Sequence, residues 1–561
     1  MTRNTFTKSI ILFFLSFSFL HAHTEEKSHI KYNYPEKPMV IEIPSYNNKD
    51  WYKRNLDSVF NQNYTNYRII YTNDASTDGT GDLVEQYIKE RGQEHRVTII
   101  HNKENRGAMA NHYTAAHMCK DYEIILHLDG DDWFKHENVL QIVNKAYNEK
   151  NIWLTYGQFE RLYYKRAEKT TNTKLGTCDT VSKKVILHNA YRQIQWITSS
   201  LRTFYAGLFK HIKLKDLLCD GTFYNATCDL GLMYPMVEMT GGKFSFIEEV
   251  LYVYNKLTNL SDNKLRVLRQ VYLKHFIRSQ KSYEPLQIDK PIPSRNIPQH
   301  AHTDLIIISE GNPAYLYAMI ESVRCYTNAI DKIYVLKDPC HGTYRDLYEQ
   351  VKKDYPKVEL IKVNPTNFKS MLESILELTH NKHILLAQGN CILKDFVDIS
   401  MCIELLESTY AHGFYLSLGE NIQENTKLVK TQNIPVHTEL QDGIFFWQFA
   451  YGQQEWKKPF ALSMALYRKK DILSLITPIH YTCSQDLCNA WHYQGFDLRN
   501  IGLFFKESKA LALEAKKETI LEKLRAHMKI NIAPLFLLQN KSSTEHINLE
   551  FQSHNLGNIS F

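Results

Sequence analysis

Among its ten cysteines the chain has no Cys-x-x-Cys pair, and so no cysteine framework for a structural zinc site. It also lacks a dominant charge. A net charge of +6 over 561 residues, with Lys and Arg interspersed among Asp and Glu, excludes the domain-wide basic field of a nucleic-acid-binding protein. The apolar run Ile10 to Leu20 is short of the roughly 20 residues that a membrane span needs. With Arg3 and Lys8 before it and His21-Ala22-His23 after it, residues 1–22 have the shape of a secretory signal cleaved after Ala22, or of an uncleaved anchor. That segment implies secretion, export or membrane association through the N-terminus, with a cytoplasmic face if it stays uncleaved. What is present is otherwise ordinary: 43% hydrophobic and 23% charged residues, in a chain too long for one core. Several cysteines lie in apolar stretches, as buried small hydrophobes do, and Cys483 and Cys488 are spaced to pair in an oxidising compartment.

Along the chain, apolar strands alternate with helices. Met39 to Ile43, Arg68 to Thr72, Val97 to His101 and Glu123 to Leu128 read as strands; Asp50 to Phe60, a stretch through Lys89 capped by the loop Asn73 to Gly79, and Ala108 to Met118 read as helices. This alternation predicts parallel βαβ units. The fourth strand ends in Asp129-Gly130-Asp131-Asp132-Trp133, placing carboxylates at the edge where an open α/β sheet binds ligands. Lys264 to Arg278 reads as a basic helix packed through Leu265, Leu268, Tyr272 and Phe276. Pro285, Pro291, Pro293 and Pro298 mark a linker over residues 283–300, between a domain at 38–282 and a second at 301–510 that opens on the strand Asp304 to Ser309.

The second half repeats the first in faded form. Ser58-Val59 precede Asp74 by the same distance as Ser322-Val323 precede Asp338. Leu208-Phe209-Lys210 with Asp229-Leu230 are echoed by Leu466-Tyr467-Arg468 with Asp486-Leu487. The strand Ile384 to Ala387 ends in Gln388-Gly389-Asn390, amides where the first half has carboxylates. Amides hold a divalent cation poorly, so the second domain is expected to serve acceptor binding, packing or assembly. Trp447, Trp456 and Trp491 are candidates for a glycan surface or for buried packing. Leu511 to Met528 reads as a terminal helix within a tail, 511–561, whose last part looks loosely structured.

Four pieces occur in order: Ile43-Pro44-Ser45-Tyr46-Asn47, Asn73-Asp74-Ala75-Ser76-Thr77-Asp78-Gly79-Thr80, Asn105-Arg106-Gly107-Ala108, and Asp129-Gly130-Asp131-Asp132. In these the segment from residue 39 to about 255 resembles a family 2 glycosyltransferase of the GT-A fold. The resemblance implies an α/β protein with two GT-A domains in tandem, nucleotide-diphospho-sugar transferase or Rossmann-like, with mostly parallel sheets flanked by helices; the second domain would be degenerate. It implies an enzyme moving a sugar from a nucleotide-sugar donor, expected to be a UDP-hexose or UDP-N-acetylhexosamine, to a glycan, lipid or protein hydroxyl with inversion. Pro44, Ser45 and Tyr46 would line the nucleotide pocket, with Arg106, Gly107 and Gly130 beside it. Asp74 would accept the N3 hydrogen of a uracil base, while Asp78 suits a helix cap. Asp129 and Asp131 form an Asp-x-Asp motif that, with Asp132, would hold Mn²⁺ or Mg²⁺ against the diphosphate, Asp131 counting as catalytic in that role. Trp133 suits packing. A general base is expected at a helix start beyond the metal motif, which gives Asp229, although Cys228 stands where the family has an acid; Asp220 and Glu238 are reserves. Arg202 and Lys210 are candidates to meet phosphate or an acidic acceptor. A non-catalytic exported carbohydrate- or nucleotide-binding protein, and a transferase with two active sites, are the other classes that fit.

Overall fold

The structure is a computed structural model that describes residues 34–165, 170–258, 267–288, 290–309, 312–337, 344–425, 430–490, 496–514 and 517–553. The N-terminal segment 1–22, Asp338 and Trp491 lie outside them. No helix of the described residues is long and apolar enough to cross a membrane.

The first domain opens with β1 (Met39–Ser45), buried along its whole length as a central parallel strand must be. There follow α1 (Tyr52–Phe60), β2 (Tyr67–Asn73), α2 (Thr80–Glu90), β3 (Val97–His101), α3 (Ala108–His117) and β4 (Ile124–His127), within a residue or two of the boundaries expected from sequence. After β5 (Trp133–Phe134) come α4 (Val139–Glu149), β6 (Leu154–Lys165), β7 (Thr170–Leu175), β8 (Thr203–Tyr205), the hairpin β9 (Leu218–Cys219) and β10 (Thr222–Phe223), α5 (Cys228–Thr240), β11 (Phe244–Asn255) and α6 (Val267–Ser279). The sheet runs β3-β2-β1-β4-β8-β6-β11-β5, with β7 as an arm on β6. Strands β3 to β4 are parallel; β8 is antiparallel to β4 and β6.

The second domain is built from β12 (Thr303–Ser309), α7 (Pro313–Tyr326), β13 (Ile330–Lys337), β14 (Val358–Lys362), β15 (His383–Gln388), β16 (Cys391–Leu393), β17 (Gly413–Tyr415), β18 (His437–Gln441), β19 (Ile444–Gln448), β20 (Ser463–Arg468), β21 (Ile501–Phe505), β22 (Ala510–Glu514) and β23 (Thr544–His546). Its sheet order, β14-β13-β12-β15-β20-β17-β21-β19-β18, reproduces that of the first domain strand for strand through its first seven members. Pairing sense repeats as well: β15 to β20 and β17 to β20 are antiparallel, β17 to β21 parallel. Detail repeats too. The Gly130 amide donates to Pro44 O at 3.0 Å, and the Gly389 amide to Ile308 O at 2.8 Å. A Cβ on Gly130 would sit 2.7 Å from Ser45; one on Gly389 would sit 3.1 to 3.3 Å from Ser309. The faded sequence repeat is thus a repeated fold.

Three expectations change. Leu511 to Glu514 is strand β22, not helix: Leu511 and Leu513 pack in a core, and pairing with β16 and β23 overrides the helical preference of Leu and Ala. The helix over that region is confined to Lys517–Arg525, and short strands and turns continue to Ser553. On α6 the buried stripe is Leu273 and Ile277; Phe276 packs against the core as expected, whereas Leu268 is 86% exposed and Tyr272 faces solvent, and Leu265 lies outside the described residues. Of the two readings for Trp447 and Trp456, buried packing holds: both are fully buried, with the Trp447 indole N–H on Trp456 O. Cys483 and Cys488 are not joined in a disulfide.

The linker binds both domains. Leu286 N–H donates to Met239 O at 2.9 Å, and the Arg295 guanidinium reaches Lys210 O and, across the boundary, Glu407 O and Ser408 O at 2.5 to 2.9 Å. Phe223 at the hairpin stacks edge-on against Phe446 of β19, and Lys215 meets Asp497 at 2.8 Å.

Candidate active site

The carboxyl ends of β1, β2 and β4 lie side by side, and each carries one of the sequence motifs. Ser45 and Asn73 end their strands in register; Ser45 O then accepts from the Asp74 amide at 2.9 Å. Tyr46 is exposed at this edge. Asp74 is buried, and its carboxylate accepts from the Arg106 amide (2.9 Å), the Gly107 amide (2.8 Å) and Asn102 Nδ2 (2.7 Å). Its role in the structure is therefore to hold the 102–107 loop; with three donors in place, the carboxylate keeps limited capacity for a base. Gly107 starts α3 at φ 82°, a conformation that favours glycine. Asp78 accepts from Thr80 N–H and O–H at 3.0 and 2.5 Å and acts as the helix-start anchor.

At the end of β4 the three acids separate. Asp129 is half-buried and lines a cavity. Asp131 is crowded by its neighbours: burial and the charge of Asp129 push its carboxyl up to about 7. Asp132, expected beside a metal, is turned inward. It is fully buried, accepts from Tyr252 O–H at 2.6 Å and from the Asn255 amide at 2.7 Å, and burial with the charges of Asp131 and Asp129 drives its pKa far up. A group so deeply buried and doubly hydrogen-bonded is a brace for β11, not a free ligand. Asp129 and Asp131 remain, two carboxylates whose mutual repulsion a divalent cation would relieve, so this pair fits a hard metal ion. Trp133 is buried under the Arg54 guanidinium at 3.7 Å, as packing requires.

The cavity beyond Asp129 has a volume of about 630 Å³. Asp229 enters it from the first turn of α5, directly after Thr227, whose backbone sits at φ 59°, an uncommon region for a β-branched residue. Burial lifts the Asp229 carboxyl above its ordinary range, against the pull of Arg202. Arg202 is 7% exposed and lies 4.0 Å from Asp229; despite burial, the charges of Asp129 and Asp229 hold it protonated. The sequence thus brought Asp129, Arg202 and Asp229 into one cavity. It did not do so for the others. Lys210 is bound to Asp121 and Cys119 O, Asp220 to Arg269 at 2.8 Å, and Glu238 is sealed in a bidentate pair with Arg192 at 2.6 and 2.9 Å.

One cluster had no motif to announce it. Glu42 of β1, His112 of α3 and His127 of β4 are buried together, with Glu42 Oε2 2.7 Å from His112 Nδ1 and 3.3 Å from His127 Nε2. Their donor atoms lie within 4.8 Å of one another, as metal ligands do. The two rings, however, stack at 4.2 Å with 14° between their planes, so their in-plane lone pairs run side by side instead of converging on an ion. The cluster reads as a hydrogen-bonded brace, and burial followed by the charges of His112 and Arg202 keeps His127 neutral. Polar side chains at three apolar-pattern positions of separate elements were the available signal.

In the second domain the corresponding edge is covered. Asn390 exchanges bonds with Leu513 of β22 (Nδ2 to O 3.2 Å; Leu513 N to Asn390 O 2.9 Å), and Asp486 is tied to Thr482.

Residues 40–210 match the model of a family described as glycosyl transferase family 2. The putative teichuronic acid biosynthesis glycosyltransferase TuaG of Bacillus subtilis is 33% identical over 104 residues, 18% of this chain and 40% of TuaG. Glycosyltransferase GlyG of Streptococcus pneumoniae is 27% identical over 222 residues, 38% of this chain and 70% of GlyG. The chain spans less than half the length of TuaG. Among solved structures, that of S. aureus TarS residues 1–349 in complex with UDP aligns at 15% identity with a TM-score of 0.31, covering 44% of this chain and 67% of that one.

Proposed function

We propose that this chain, whose N-terminal half carries a glycosyl transferase family 2 domain, transfers a sugar from a nucleotide-sugar donor, UDP-linked by preference, to an acceptor hydroxyl with inversion. The observation that carries this reading is the convergence of Asp129, Arg202 and Asp229 on one cavity at the carboxyl edge of β1, β2 and β4. Asp129 and Asp131 would hold Mn²⁺ or Mg²⁺, which offsets the charge of the diphosphate when bound. Asp229 would accept the proton of the incoming hydroxyl as its oxygen attacks the anomeric carbon. Its raised pKa suits that task, since a base closer to neutrality takes a proton more readily while still being ionised. Arg202, buried and acting through its charge on both carboxylates, would keep Asp229 ionised and aimed into the cavity. Asp74 would support the nucleotide site by fixing the Arg106-Gly107 turn.

The amides Gln388 and Asn390, and the β22 strand laid over them, support a second domain without metal-dependent transfer. Calorimetric titration with UDP, with and without Mn²⁺, tests the reading. The expected result is metal-linked binding that Asp131→Ala abolishes; UDP binding indifferent to both metal and Asp131 would overturn it.

A further inference from the structure

The same cavity carries a surplus of positive charge that donor chemistry leaves unused. Arg161 comes from β6 and Lys274 from α6, and both line the cavity along with Arg202; Lys256, after the end of β11, lines it too but has interactions of its own. Three independent elements supply them, so local clustering in the sequence is not the cause. The carboxylates that line the cavity are Asp129 and Asp229, and the charge of Arg202 already acts on both. Among the described residues neither Arg161 nor Lys274 has a carboxylate within ion-pair distance; Arg161 leans on the Phe159 ring at 5.2 Å. Cations focused on one concave site repel each other unless an anion lies among them.

A second observation is independent of charge. Three buried polar atoms of the cavity-lining residues, Arg202 Nε, Trp196 Nε1 and Thr227 Oγ1, have no hydrogen-bond partner. All three can donate, and buried donors without acceptors are costly, so the cavity wall holds polar groups that the protein itself leaves unsatisfied. Trp196, half-buried and edge-on to Tyr234, adds an aromatic face. Pro44 to Tyr46, Asp74 and Arg106, assigned to the nucleotide, are absent from the cavity lining, which meets the donor machinery only at Asp129. The cationic rim therefore faces the acceptor side. At about 630 Å³ the space exceeds what one sugar ring fills.

From these features we infer that the acceptor carries an anionic group, phosphate or carboxylate, held by Arg161 and Lys274 while its hydroxyl is presented to Asp229. This rests on the transferase reading above. The test is titration of glucose 1-phosphate, glucuronate and methyl glucoside onto the full chain saturated with UDP and Mg²⁺, for the parent and for an Arg161→Gln/Lys274→Gln double variant whose fold is verified by circular dichroism. The same three probes are also titrated without UDP. Charge-assisted contacts predict that at least one anionic probe binds the parent about tenfold or more tighter than methyl glucoside, and that added salt and the double variant erase the preference. UDP affinity should change less than about twofold in the double variant, because the metal rather than the rim neutralises the diphosphate. Equal affinity for charged and neutral probes would overturn the inference. So would a double variant that loses UDP and keeps the probe preference, since the rim would then belong to the donor. UDP affinity of the parent reports on the transferase reading, and the probe series reports on the acceptor, so the two fail separately.

Discussion

Single residues divide here into those that face the cavity and those that brace it. Asp131 adjoins the first group through Asp129, which lines the cavity, and carries a condition. Its carboxyl, lifted to about 7, is neutral in part of the molecules near neutral pH, and a metal ion needs it ionised. Mn²⁺ affinity should therefore fall as pH drops below 7, with proton release on binding above zero at pH 6.5; metal titrations in buffers of different ionisation heat check this. Gly130 is a brace. A Cβ there would lie 2.7 Å from Ser45 Cβ and Oγ and 2.8 Å from Asn48 Nδ2, so Gly130→Ala should destabilise by about 1–3 kcal/mol, read by denaturant unfolding. The Asp-x-Asp motif was legible in sequence because acids at an apolar strand end are unusual. The division of labour was not: Asp131 and Asp132 are adjacent and chemically alike, and only the placement of Tyr252 and Asn255, over a hundred residues later, turns Asp132 inward. Glu42, His112 and His127 were unreadable for the same reason, being partners only across three elements.

Elements whose strands and helices alternate with strong apolar content were readable almost to the residue, from β1 to β4. Reading failed where tertiary pairing competes with local preference. Leu511 to Glu514 would suit a helix, yet the edge of β16 takes it as a strand. On α6, Leu268 and Tyr272 fit an apolar stripe as well as Leu273 and Ile277 do, and the choice is made by α5 beneath it. The packing of α5 and α6 also depends on a buried ion pair. Arg192 binds Glu238 with two bonds and donates to Ile277 O at 2.6 Å. Arg192→Ala would leave a buried carboxylate without its partner, and the expected loss is roughly 3–5 kcal/mol, measured by equilibrium unfolding. Because α5 carries Asp229, partial loss of activity below the unfolding midpoint should accompany it.

At the scale of the whole molecule, a repeated fold has kept one open ligand edge and closed the other. In the first domain Asp129 opens on a cavity; in the second, β22 is hydrogen-bonded to Asn390. The two domains are joined by the linker, by Phe223 on Phe446, by the Arg106 guanidinium on Glu439 O at 2.7 Å, and by Lys215 with Asp497. The last contact has a pH signature. Against burial, the Lys215 ammonium and the Arg499 amide hold Asp497 down at about 2, so its contribution is complete above the ordinary carboxylate range near 4 and is lost as pH falls toward 2. Proteolysis of the 283–300 linker should quicken in that window, and Asp497→Asn should remove this component of the change. The central claim concerns where chemistry occurs, and single-turnover transfer from a UDP-sugar by the full-length Asp229→Asn protein tests it most directly. The account predicts transfer slowed by about 10²–10⁴-fold with UDP affinity retained. Transfer at the parent rate would contradict it.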